Sequence, residues 1–113
     1  MENLSGEDAS TWLRQGDFSV QSGVRAGGAF LDRRNRPTAI FASNDEMAAG
    51  VFAAAMMRGL ILPRDLSICG FDDSSIAKLV WPTLTTIHQP LAHMARLATR
   101  QLLSPQSNGS GQD

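Results

Sequence analysis

The residues of this chain best suited to chemistry on a small ligand are an aromatic, an amide, a carboxylate and a second amide: Phe18, Asn44, Asp72 and Gln89. Carboxylates and amides at fixed positions hydrogen-bond ring hydroxyls bidentately, and an aromatic face packs the apolar side of a sugar or a base. A phosphate would instead call for a glycine-rich loop with Lys or Arg at these turns, and that combination is absent. Three of the four have a competing structural role. Phe18 could staple the helix that follows, although the position it would pack against is Gly23, which offers no side chain. Asp72 could be a turn or cap residue ahead of Ser74, and Gln89 a plain helix cap. Asn44 has no such alternative, because Ser43 and Glu46 already have the spacing of a capping box.

Other constellations carry less. Ser43, Ser74 or Ser75 with His88 and an Asp supply the residue types of a hydrolytic triad, but no Gly-x-Ser-x-Gly elbow accompanies them, so no catalytic residue is assigned. His88 and His93 lie five apart across a proline without a further ligand set, so no metal ligand is assigned. Gly23-x-x-x-Gly27-Gly28 falls inside a helix and does not match the dinucleotide fingerprint; no cofactor is implied. Met47, Met56 and Met57 suit core filling.

The elements that must position these residues follow from hydrophobic spacing. Thr38–Ala42 is a short apolar run with β-branched and aromatic members, the pattern of a strand buried on both faces, and Met47, Val51, Ala54 and Ala55 continue it as one face of a helix from about Asp45 to Arg58. Gly59 is the expected left-handed stop. Upstream, Thr11–Arg14 is a candidate short strand. Ser19 then caps a helix from about Val20 to Arg33, whose Gly27-Gly28 face suits close approach to a sheet. Arg33, Arg34 and Arg36 crowd its end, where cations complement the dipole. Downstream, Leu66–Phe71 and Leu84–Ile87 are further β-rich runs around an apolar Ile76–Trp81 segment, and Pro90 opens a helix with Leu91, Met94, Ala95, Ala98 and Leu102 on one face. Strand alternating with helix is the signature of a three-layer α/β parallel sheet with flanking helices. Right-handed crossovers then bring the loops at Asp17–Phe18, Ser43–Asp45, Phe71–Asp73 and His88–Gln89 to one edge.

Bulk properties narrow the class. The 113 residues are 42% apolar, enough for one modest core, and 10 basic against 11 acidic residues leave a net charge of −1, which suggests no electrostatic grip on nucleic acid or an anionic membrane. A single cysteine, Cys69, in an apolar run fits a buried residue in a reducing compartment. The absence of a leader-like or membrane-spanning run points to a cytoplasmic protein. Residues 1–10 are expected to fray, and 104–113 to form a disordered tail.

Taken in order, Gly16-Asp-Phe-Ser with Ser22-Gly23, Arg36-Pro-Thr-Ala-Ile-Phe-Ala-Ser-Asn-Asp-Glu-Met-Ala-Ala-Gly50, Gly59-Leu, Pro63-x-Asp-Leu-Ser-Ile-x-Gly-Phe-Asp-Asp73 and Trp81-Pro-x-Leu-Thr-Thr-Ile-His-Gln-Pro90 resemble the lactose-repressor (LacI/GalR) family of bacterial transcription regulators. The match runs from about Gln15 to Leu103. The resemblance implies an incomplete lobe of the periplasmic-binding-protein type I kind. Residues 1–14 match poorly, 15–89 supply the carboxyl-terminal lobe of an effector domain, and the helix at 90–103 belongs to the other lobe. By motif it carries effector contact over to Phe18, Asn44, Asp72 and Gln89, and it makes Leu79, Val80 and Trp81 part of a homodimer contact. Its implied partners are a small neutral effector such as a sugar, a second copy in the full-length protein, and DNA only through a headpiece this chain lacks. The chain is on this view a fragment or truncated gene product that senses an effector. A lobe of a sugar-binding transport protein, or an enzyme on a similar fold, are the alternatives.

Overall fold

The computed structural model describes residues 8–105, so residues 1–7 and the expected tail beyond Pro105 lie outside it. Ser19 opens the first helix as expected. Its backbone is extended, its hydroxyl oxygen accepts from the Ser22 amide at 3.0 Å, and α1 runs Val20–Leu31. The helix ends at Leu31, short of Arg33, with Asp32 as its C-cap, and the Asp32 carboxylate is forked by Arg58, the C-cap of α2 (Asp45–Met57), at 2.8 and 2.9 Å. Arg33 does not serve the helix end. Its guanidinium lies 4.1 Å over the Trp12 ring and donates to the Thr11 carbonyl at 2.9 Å.

The glycines of α1 face α2, not a sheet. A Cβ on Gly23 would enter the backbone of Met47, one on Gly27 would crowd Val51, and one on Gly50 would enter the Val20 carbonyl and the Gly23–Val24 backbone. Glycine on both sides lets the two helix backbones touch, which offsets the loss of helix propensity, roughly 1 kcal/mol per glycine. Below this contact Leu31, Val51, Ala54, Ala55 and Leu66 form the buried core, with Ile40, Leu60, Leu62 and Ile68 packed against it.

β1 (Ala39–Phe41) and β2 (Ser67–Cys69) pair in parallel, Ile40 opposite Ile68, as the strand–helix–strand order requires. The expectation that β1 is buried on both faces does not hold. Ile40 turns toward the core, whereas Ala39 and Phe41 are exposed, Phe41 by 61%. Alternation along the strand gives the helices one face only, and among the described residues β1 is paired on one side only. Thr11–Arg14 does not form a strand beside it. Asp8 caps a 3-10 turn over Ala9–Trp12, its side chain accepting from the Ser10 amide at 3.1 Å and its carbonyl from Thr11 at 2.9 Å, so Asp8–Ser10 are held rather than frayed. An apolar groove of about 510 Å³ lies between Trp12, Leu13, Phe30 and β1.

Leu84–Ile87 runs beside β2 in the parallel sense but makes only isolated bridges, Cys69 with Thr85 and Asp72 with His88. Positive φ at Asp72 and Asp73, 118° and 56°, bends the chain out of the pleat and prevents a continuous ladder. The Ile76–Trp81 segment contains a 3-10 turn at Ser75–Lys78 that buries Ala77 and leaves Leu79 80% and Trp81 82% exposed. Cys69 is half-buried, not buried, and Met56 and Met57 are exposed at the end of α2, so only Met47 serves the interior. α3 (Leu91–Leu103) buries no residue, its apolar face included.

The close helix contact makes a stability ranking. Gly59, at φ 71° with open space around it, is expected to lose about 1–2 kcal/mol on Gly59→Ala. Gly50→Ala, which drives a methyl into backbone, is expected to cost about 3 kcal/mol or more. Urea unfolding of the two variants checks the order.

Candidate functional site

The loops expected to share an edge do so. The amide nitrogen of Asn44 donates to the Phe18 carbonyl at 3.0 Å, joining the turn before α1 to the turn after β1. The Gln89 amide donates to the Asp72 carboxylate, joining the end of the Leu84–Ile87 run to the turn after β2. Next to Asn44, the Asp45 carboxylate accepts from the Ser74 amide at 2.7 Å, the Ser74 hydroxyl at 3.1 Å and the Thr86 hydroxyl at 2.5 Å. Phe18, Asn44, Asp72 and Gln89 are thus brought to the carboxyl edge of the parallel strands, linked as two pairs by direct bonds and across the pairs by Asp45.

One assignment made from the sequence is overturned. Ser43 and Glu46 do not form a capping box; Asn44 is the N-cap of α2, its side-chain oxygen accepting from the Met47 amide at 2.9 Å. Asn44 therefore has a structural task after all. One residue later than expected, this single side chain holds both the helix amide and the Phe18 carbonyl. Asn44 is 9% exposed and keeps one amide hydrogen and one oxygen lone pair unspent. Gln89, which was open to being a plain helix cap, caps nothing; Pro90 precedes α3 with no side-chain cap bond.

Phe18 is 63% exposed at φ 68°, and the non-glycine residues of positive φ among those described, Phe18, Asp72 and Asp73, all lie on this edge. Such a backbone costs about 1–3 kcal/mol per residue and persists where surrounding bonds over-determine it. Here the bonds are visible: Asn44 holds the Phe18 carbonyl, Asp72 donates to Ile87, and the Asp73 amide donates to Thr86 Oγ1 at 3.1 Å. Beside them His88 Nδ1 lies 3.1 Å from the Asp73 carboxylate, while the Ser74 hydroxyl is turned inward and donates to Asp45.

Asp17 anchors the first loop. Its carboxylate takes the Ser19 hydroxyl and, at 3.0 Å, the Ser19 amide; these bonds, the hydroxyl first, hold its pKa down from 3.8 to about 2. Sequence reasoning missed Asp45, Ser74 and Thr86. An Asp in a helix's first turn, a Ser before a 3-10 turn and a Thr in a β-rich run are each ordinary there, and nothing in their spacing marks them as partners.

Two outcomes follow from this geometry. A carboxyl with a lower pKa in the folded chain contributes stability above pH 3.8 that is lost as the pH falls toward 2. Melting temperature is expected to drop across that window, and to drop less in Asp17→Asn. Because Phe18 is exposed and left-handed, Phe18→Gly is expected to be more stable than Phe18→Ala by about 1 kcal/mol in chemical unfolding.

Comparison with known proteins places this edge in context. The model of the periplasmic binding protein-like domain matches residues 1–111. The HTH-type transcriptional repressor PurR of Serratia proteamaculans is 41% identical over 103 residues, covering 91% of this chain and 30% of the repressor. A lac repressor dimer bound to operator and the anti-inducer ONPF superposes with a TM-score of 0.75 at 34% identity, over 80% of this chain and 32% of that one. A LacI family transcriptional regulator from Lactobacillus casei with bound glucose gives a TM-score of 0.69 at 34% identity, over 75% of this chain and 32% of that one. The chain spans about 30% of the length of the curated relatives it matches. Parallel strands with loops gathered at their carboxyl ends and these matches together establish that the chain belongs to the periplasmic binding protein-like domain family and, within it, is of the LacI/GalR effector-domain type.

Proposed function

We propose that this chain is the effector-sensing lobe of a transcriptional repressor of the LacI/GalR kind, and that Phe18, Asn44, Asp72 and Gln89 form its half of the effector site. The observation that carries the proposal is the convergence of an exposed aromatic ring and three polar side chains on the carboxyl edge of a parallel sheet, where ligands bind in open α/β folds. The ring of Phe18 stacks a flat or chair-shaped ligand face; Asp72 accepts from ligand hydroxyl or amine hydrogens; Gln89 orients Asp72; Asn44 holds the Phe18 turn and offers its remaining hydrogen. Among the described residues no Lys or Arg bonds to Phe18, Asn44, Asp72 or Gln89, which favours a neutral ligand. A sugar is the first candidate, supported by the glucose bound in the Lactobacillus casei relative.

In the repressor architecture the effector prefers one arrangement of two lobes and so biases the DNA-bound state. α3, with an apolar face and no buried residue, would pack on the second lobe. Leu79, Val80 and Trp81 would contribute to contact with a second copy, a role supported by the exposure of Leu79 and Trp81 beside the Ser75–Lys78 turn.

Nuclear magnetic resonance titration of the isotope-labelled chain with D-glucose, D-ribose and hypoxanthine tests the site. Amide resonances of Phe18, Asn44, Asp72 and Gln89 are expected to move together with one millimolar-range dissociation constant for at least one ligand. Phe18→Gly should abolish the response. Movement confined to other residues, or none with any ligand, would count against the proposal.

A further inference from the structure

We propose that Asp45 is a positioning residue that couples the Phe18–Asn44 half of the ligand edge to the Asp72–Gln89 half. The proposal rests on the effector-site reading for its functional consequence, though not for its test. Asp45 is fully buried. Its three bonds reach Ser74, at a separation of 29 residues, and Thr86, at a separation of 41. Asp45 and its partners each stand within three residues of a proposed ligand residue: Asn44 immediately precedes Asp45, Asp72 lies two before Ser74, and Gln89 three after Thr86. Thr86 relays the contact once more, since its hydroxyl oxygen accepts from the Asp73 amide while its hydrogen goes to Asp45.

The donors to Asp45 are neutral hydroxyls and an amide, and its place in the first turn of α2 adds the favourable end of the helix dipole. A carboxylate buried this way tolerates little displacement, because losing any donor leaves a lone pair unpaired out of water. Gly70 enforces the closeness, since a Cβ there would enter the Asp45 carboxylate. A shift of the Asp72–Gln89 loops is therefore transmitted to the first turn of α2, and through Asn44 to the Phe18 carbonyl.

Amide spectra of the 113-residue chain test the coupling without any ligand. Gln89→Ala is expected to shift the amides of Asn44 and Met47 in the parent, and to shift them less than about half as far when introduced into Asp45→Asn or Thr86→Val. An equal shift in all backgrounds would overturn the proposal, whatever the loss of melting temperature. Should Asp45→Asn fail to fold, Thr86→Val alone decides, because it removes at nearly constant shape the hydroxyl that donates to Asp45 and accepts from the Asp73 amide. For any of D-glucose, D-ribose or hypoxanthine that binds the parent, Thr86→Val is expected to weaken binding about tenfold and Thr86→Ser to restore it; undiminished binding in Thr86→Val contradicts the proposal. If none of the three binds the parent, the effector-site reading fails, while the amide coupling still decides the role of Asp45.

Discussion

A buried carboxylate satisfied by two hydroxyls and one amide is the constraint on which the carboxyl edge of the strands depends. Moving Asp45 from water costs several kcal/mol unless its oxygens are met by donors, and those donors come from two segments remote in the chain. The requirement fixes where the turn after β2 and the end of the Leu84–Ile87 run must lie relative to α2. Those are the segments that carry Asp72 and Gln89. Satisfying one interior group thus sets the spacing of groups on the surface.

A second constraint acts from the opposite side. Backbone contact between α1 and α2 at Gly23 and Gly50 leaves almost no freedom in how the turn before α1 meets the start of α2. Asn44 closes that joint by capping α2 and holding the Phe18 carbonyl with one side chain. Phe18 is kept in a left-handed conformation and its ring is left exposed. The strain and the exposure have one origin: a turn held from below by a cap presents its side chain outward.

Much of this architecture was legible in the sequence because it rests on short-range chemistry. Ser19 as a cap, Gly59 as a left-handed stop, the parallel order of β1 and β2 and the common edge all follow from local pattern and handedness. What was not legible depends on long-range partners. Ser43 with Glu46 satisfies the capping pattern as well as Asn44 does, and only the Phe18 carbonyl 26 residues away decides between them. Thr11–Arg14 has strand-like composition, yet Asp8 closes a local turn first. The positive φ of Phe18 has no signature in residue type, since glycine or asparagine would have been expected there, whereas Asp72 and Asp73 are of a type that tolerates it but is equally common elsewhere in turns. The burial of β1 was overestimated because an apolar run does not say how many of its faces find partners.

The proposed ligand rim is built from Phe18, Asn44, Asp72 and Gln89. A crystal structure of the chain soaked with D-glucose or hypoxanthine tests it most directly. The expected result is a ring stacked on Phe18 with polar atoms within hydrogen-bond distance of Asp72. A ligand seated instead in the groove between Trp12 and β1, with the rim unchanged, would contradict it.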